Sequence, residues 1–160
     1  PSNNDRFLRK DTLQGFVHDE ASAFFGGLAG NAGLFSTARD VARVYQMLLN
    51  GGEIDGQRYL SKETCQLFTT ETSKISRRGL GFDKPDADDP KKGNCAPAAP
   101  AEVYGHTGFT GTCAWVDPMN ELVYVFLSNR IYPDVTNRKL NQLHIRERIQ
   151  GAIYDAMKKK

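Results

Sequence analysis

The stretch YGHTGFTGTCAWVDP, residues 104–118, sets one histidine among small and hydroxylated residues and follows it with an apolar run. His106 offers a base or a cation, Thr107 a hydroxyl, and Gly108 room for a partner to approach the backbone closely. Taken alone, the tripeptide fits a structural histidine or a tight turn as well as half of an active site, and covalent catalysis also needs an activated nucleophile. Cys65, Cys95 and Cys113 show no C-x-x-C or histidine spacing for zinc, and three thiols cannot all pair internally. Cys113, two residues before Trp115 on an expected strand, reads as a buried, inert thiol. His18, in VHDE, could pair with Asp19 or Glu20. Three adjacent polar groups on a loop converge poorly on one ion, so no metal is expected there. His144 reads as a partly exposed helix residue, and Ser36 with Asp40 as helix-start chemistry rather than a nucleophile.

The elements that must position these residues follow from periodicity and punctuation. Residues 1–20 are polar and irregular, and the glycine-rich FFGGLAGNAGLFS reads as a shaped loop. It lacks G-K-[ST] and a strict G-x-G-x-x-G, which argues against a phosphate cradle. In TARDVARVYQMLLNGG, Thr37 can cap a helix with Asp40 three residues on. Val41, Val44, Tyr45, Leu48 and Leu49 share one face, and Asn50-Gly51-Gly52 ends it. EIDGQRYL predicts a hairpin at Asp55-Gly56, and Ser61 starts a second helix with Leu67 and Phe68 facing inward. A strand is expected near RGLGF. Residues 84–101 carry four prolines and little that is apolar enough to pack, which predicts a mobile loop within a single domain spanning 1–160. TCAWV and LVYVFLSN predict strands joined by a turn at 117–121, the second covered on both faces because Leu122–Leu127 does not alternate. The last segment predicts a helix with Ile145, Ile149, Ala152, Ile153, Ala156 and Met157 on its buried side. Helices on an antiparallel sheet, an α/β (α+β) arrangement, follow from that order.

Composition narrows the function classes. A chain of 160 residues with net charge +2 has no field that argues for nucleic acid, and the Lys158-Lys159-Lys160 tail complements a helix C-terminus. No run approaches the roughly 18 apolar residues of a membrane helix. No cofactor motif is present.

Taken together, the motifs resemble a known family. H-T-G at 106–108, leading into a hairpin and a C-terminal helix, resembles the third box of penicillin-recognising serine enzymes of the class C β-lactamase, DD-peptidase and esterase type. Residues 17–52 resemble the segment after that family's second box, and RYLSKETCQLFTT and RGLGF match the usual order before the third. RRGLGFDKP, GHTGFTGTCAWVDP and VYVFLSNRIYP further resemble the serine-hydrolase module fused to bacterial family-three glycoside hydrolases of the β-N-acetylglucosaminidase type.

The resemblance implies a partial β-lactamase/transpeptidase-like fold and a pocket wall in which His106 and Thr107 bind substrate. Gly108 would leave room for the substrate, and the N–H of Phe109 would be one of two oxyanion donors. No serine is followed by lysine three residues on, and no tyrosine by asparagine two on; Ser2-Asn3-Asn4 fits S-x-N only formally. The chain is therefore expected to be the C-terminal portion of a larger serine hydrolase, inactive alone. Its partners would be the N-terminal part of the same domain and a small or peptidoglycan-like substrate. Self-association through an exposed sheet edge is expected, as is a periplasmic or secreted setting. The alternative is a non-catalytic accessory module of a secreted glycan-processing enzyme.

Overall fold

Local hydrogen bonds set the helix starts in the computed structural model, which describes residues 8–70, 73, 75–86, 88–89 and 93–158. Asp19 opens α1 (Glu20–Phe24) by accepting from the Ser22 N–H at 2.7 Å, and Thr37 opens α2 (Ala38–Leu49) by accepting from the Asp40 N–H at 3.2 Å. Asp55 and Gly56, both at positive φ, turn β1 (Glu53–Ile54) back on β2 (Gln57–Arg58), and Ser61 caps α3 (Lys62–Thr69). Then come β3 (Tyr104–Thr107), β4 (Cys113–Asp117) and β5 (Leu122–Phe126), followed by α4 (Lys139–Gln142) and α5 (Ile145–Met157). His144, in the left-handed conformation, divides the single expected C-terminal helix in two. The Ser2-Asn3-Asn4 tripeptide and Lys159-Lys160 lie outside the described residues.

The sheet runs β3-β4-β5, antiparallel throughout, with His106 opposite Ala114 and Trp115 opposite Tyr124. Side chains alternate between faces. Cys113, Trp115, Tyr124 and Phe126 share one face and form the core with Cys95 and Val103, where Ile153 of α5 packs. On the other face α2 lies against β4 and β5. Helices thus cover an antiparallel sheet, as the element order predicts. No described helix is long and apolar enough to cross a membrane.

Several expectations about packing are corrected. Leu67 and Phe68 are 54% and 44% exposed, and α3 buries Cys65 instead. RGLGF forms no strand; Asp83, the residue after it, makes a single antiparallel bridge to Gly105. β5, at one border of the sheet, buries only Tyr124. α5 turns its polar side inward: Arg146, Glu147, Gln150 and Tyr154 are buried, whereas Ile149 is 38% exposed and Ala152 and Ala156 face solvent. Hydrogen bonds explain this choice, since Gln150 accepts from the Ala96 N–H at 2.8 Å and Tyr154 donates to Asp117 at 2.8 Å. The segment 84–101 does pack where it is described. Cys95 and Ala96 are buried, and the Lys84 ammonium donates to the Thr69 and Glu102 carbonyls.

Candidate active-site wall

His106, Thr107, Gly108 and Phe109 come together at one end of β3, beside an open cleft of about 910 Å³. The glycine-rich loop lines the same cleft with Asn31, Ala32 and Leu34, α2 with Val41 and Tyr45, and His18 joins them. β3 is an outer strand. Its free side is covered at Gly105, where Asp83 exchanges backbone bonds of 2.7 and 3.0 Å. Successive residues of a strand point their amides to opposite sides, so Thr107 directs its N–H and C=O the same way as Gly105, along the border beyond Asp83. Arg77 and Asn94 hold the Asp83 carboxylate that anchors this cover, at 2.7, 3.0 and 2.8 Å. Burial alone would raise the Asp83 carboxyl, but those donors outweigh it and hold the group below the usual range.

The turn after β3 is tightly determined. The Gly108 N–H donates to the Thr112 carbonyl at 2.8 Å, and the Gly111 N–H donates to the Gly108 carbonyl at 2.9 Å. A trans peptide places N–H and C=O on opposite sides of its plane. With the Gly108 carbonyl drawn into the turn, the Phe109 N–H faces away from it, and among the described residues it donates to nothing. Gly111 has φ +104°, and a Cβ on Gly108 would stand 2.3 Å from Thr112 Oγ1, so both positions call for glycine.

The His106 ring has a defined hydrogen position. Its Nδ1 lies 2.7 Å from the Thr107 carbonyl, and a carbonyl only accepts. Nδ1 therefore carries hydrogen, and Nε2 is the basic nitrogen of the neutral ring. The Thr107 hydroxyl engages nothing among the described residues. This end of β3 thus offers an amide donor, a hydroxyl and an imidazole together. A developing oxyanion is what such a set stabilises. Ser36 lines the cleft but is exposed, and no described lysine hydrogen-bonds it.

The chain matches the Beta-lactamase family over residues 3–147. The chain belongs to the beta-lactamase family. Proteins described as "Putative D-alanyl-D-alanine carboxypeptidase" from Escherichia coli (strain K12), Salmonella agona (strain SL483) and Salmonella typhi are each 36% identical to it over 135 residues. The match covers 84% of this chain, which spans 31% of the length of those relatives. Family membership agrees with a partial β-lactamase-like fold, in which helices pack on the antiparallel β3-β4-β5 sheet.

Within this beta-lactamase-family segment, several neighbours of the turn escape sequence reasoning. His18 stacks on the Phe109 ring, centroids 5.5 Å apart and planes 14° from parallel, while Arg130 places its guanidinium carbon 4.6 Å from that ring's centre. Asp19 engages α1 instead of pairing with His18 through a hydrogen bond, and no described cluster of His, Cys, Asp or Glu could hold a metal. Ser128 and Asn129 line the cleft just beyond β5. Burial, then the charges of Arg138 and Arg146, push the Arg130 guanidinium below its ordinary value. The polar run Ser128-Asn129-Arg130 directly after an apolar strand was the available signal. Cys113 is buried as expected, its thiol pushed up to about 11 chiefly by burial.

Proposed function

We propose that this chain forms the substrate-facing wall of a serine acyl hydrolase whose nucleophile comes from a segment outside residues 1–160. The observation that carries this reading is the unengaged, outward-facing N–H of Phe109 at the end of an open strand edge, beside His106 and Thr107. In the complete enzyme a serine hydroxyl adds to the substrate carbonyl and passes its proton to a base. The Phe109 N–H receives the resulting oxyanion. The C–N or C–O bond then breaks, the leaving group takes up the proton, and water cleaves the acyl-serine ester. His106 and Thr107 bind the substrate's carboxylate or carbonyl, and Gly108 keeps the border clear.

The substrate is a peptide, ester or β-lactam carbonyl. The names carried by the relatives favour a peptide ending in D-alanyl-D-alanine. Phe24, Phe25, Leu28 and Leu34 are largely exposed, and β5 has no described strand on its outer side. The remaining part of the domain packs there, or a second copy of this chain when that part is missing. Incubating the complete gene product with a fluorescent penicillin and an activated ester, followed by intact-mass analysis, tests the reading. A covalent acyl adduct on one serine is expected. No adduct and no turnover with either reagent would leave a non-catalytic accessory module as the better description.

A further inference from the structure

We infer that Arg146, thirty-four residues beyond the turn it touches, is a positioning residue for the oxyanion amide. Its guanidinium Nη1 donates to the Thr112 carbonyl at 3.2 Å, the same oxygen that receives the Gly108 N–H at 2.8 Å. Thr112 is therefore the fixed point on which the H-T-G tripeptide turns, and Arg146 holds it from the helical side. The link runs through two peptide units. Holding the Thr112 carbonyl fixes the Gly108 amide; Gly108's own carbonyl is fixed by Gly111, and the plane so defined aims the Phe109 N–H outward. Only the last of these groups would meet substrate, so Arg146 acts through others.

Arg146 is itself held. Tyr124 donates its hydroxyl to the Arg146 carbonyl at 3.1 Å, and Nη2 reaches the Asn141 side chain at 3.4 Å. The residue is only 7% exposed, and its Nε has no hydrogen-bond partner. Among the described residues it forms no salt bridge with a carboxylate. A buried cation compensated only by carbonyl and amide oxygens is costly. An apolar side chain would anchor the first turn of α5 against the sheet at lower cost. What the guanidinium adds is a charge-assisted bond to one carbonyl in the turn.

This inference rests on the proposed oxyanion role of Phe109, and its test separates the two. Amide hydrogen exchange on this chain compares wild type with Arg146→Met and Arg146→Lys. Gly108 exchange is expected to rise about tenfold or more in Arg146→Met, with the β4 and β5 amides within twofold of wild type. Lysine should restore part of the protection. In the complete gene product the same variants should lower kcat for acylation about tenfold with KM within twofold. They should weaken a boronic acid, whose adduct is tetrahedral, more than a non-reactive substrate analogue. Unchanged Gly108 exchange in Arg146→Met overturns the inference. So does an equal rise at every core amide in both variants, or equal loss of boronate and analogue affinity. If the wild-type protein never acylates, the proposed function fails while the exchange data still decide whether Arg146 positions the turn.

Discussion

The His18 imidazole lies nearly flat against the Phe109 ring, 5.5 Å between centroids, joining a loop near the N-terminus to the residue that follows H-T-G. Arg9 fixes the His18 side of this contact by donating to the Val17 and His18 carbonyls. An aromatic pair of this kind contributes about 0.5–1.5 kcal/mol beyond its buried area. A double-mutant cycle of His18→Ala and Phe109→Leu, followed by urea unfolding, should return a coupling energy in that range. His18→Phe, which keeps the flat contact, should recover most of it. A coupling indistinguishable from zero would show the stacking to be incidental.

The backbone amide at position 109 can be removed without removing the position. Phe109→Pro deletes the N–H, whereas Phe109→Ala keeps it and loses only the ring. In the complete gene product, proline should reduce acylation on the order of 100- to 1,000-fold, the usual consequence of losing one oxyanion donor. Alanine should cost far less. Rates from single-turnover labelling with an activated ester would distinguish the two, and comparable rates for both variants would remove the amide from the mechanism.

Gly108 and Thr112 should be coupled through space. A methyl on Gly108 would come within 2.3 Å of Thr112 Oγ1. Gly108→Ala should therefore destabilise the chain by about 1–3 kcal/mol, the cost of overpacking, and Thr112→Ala introduced beside it should restore a good part of that. Gly111→Ala has no such remedy, because its φ of +104° disfavours any side chain. Thermal melts of the three single variants and the 108/112 pair provide the comparison.

The sequence carried the local half of this structure better than the distant half. α2 was legible because Thr37, Asp40 and Asn50-Gly51-Gly52 act within a turn of themselves, and the β4–β5 hairpin because its turn residues and apolar runs are contiguous. α5 was placed correctly, but of its expected apolar side only Ile145 and Ile153 turn inward, beside the buried Arg146, Glu147, Gln150 and Tyr154. Arg146 Nη1, Tyr154 and Gln150 find their partners at Thr112, Asp117 and Ala96, which lie 34, 37 and 54 positions away. Periodicity weighs apolar spacing and cannot register such partners. The same limit applies at the site. His106 to Phe109 form a contiguous motif, whereas His18, Arg130 and Arg146 reach the turn only through the tertiary fold.

The buried thiols make stability depend on alkaline pH. Burial is the main cause that pushes Cys95 from 9.0 up to about 12 and Cys113 from 9.0 up to about 11. Both groups are acids kept neutral by folding, so the unfolded chain releases their protons first. Their contribution is complete below about pH 9 and is lost as pH rises from there through the folded values. Tyr104, Tyr124 and Tyr154 are also raised by burial and act in the same direction, so variants must be compared rather than absolute slopes. Between pH 9.5 and 10.5, roughly one pH unit, each thiol should contribute about 1 kcal/mol to the fall in unfolding free energy. Cys95→Ala should flatten the urea-derived profile by that amount, whatever its effect on stability at neutral pH. In the native chain at pH 8 neither Cys95 nor Cys113 should react with a thiol-specific disulfide reagent until denaturant is added. Fast labelling of either thiol under native conditions, together with an unflattened profile, would mean that the face between α5 and the sheet opens to solvent.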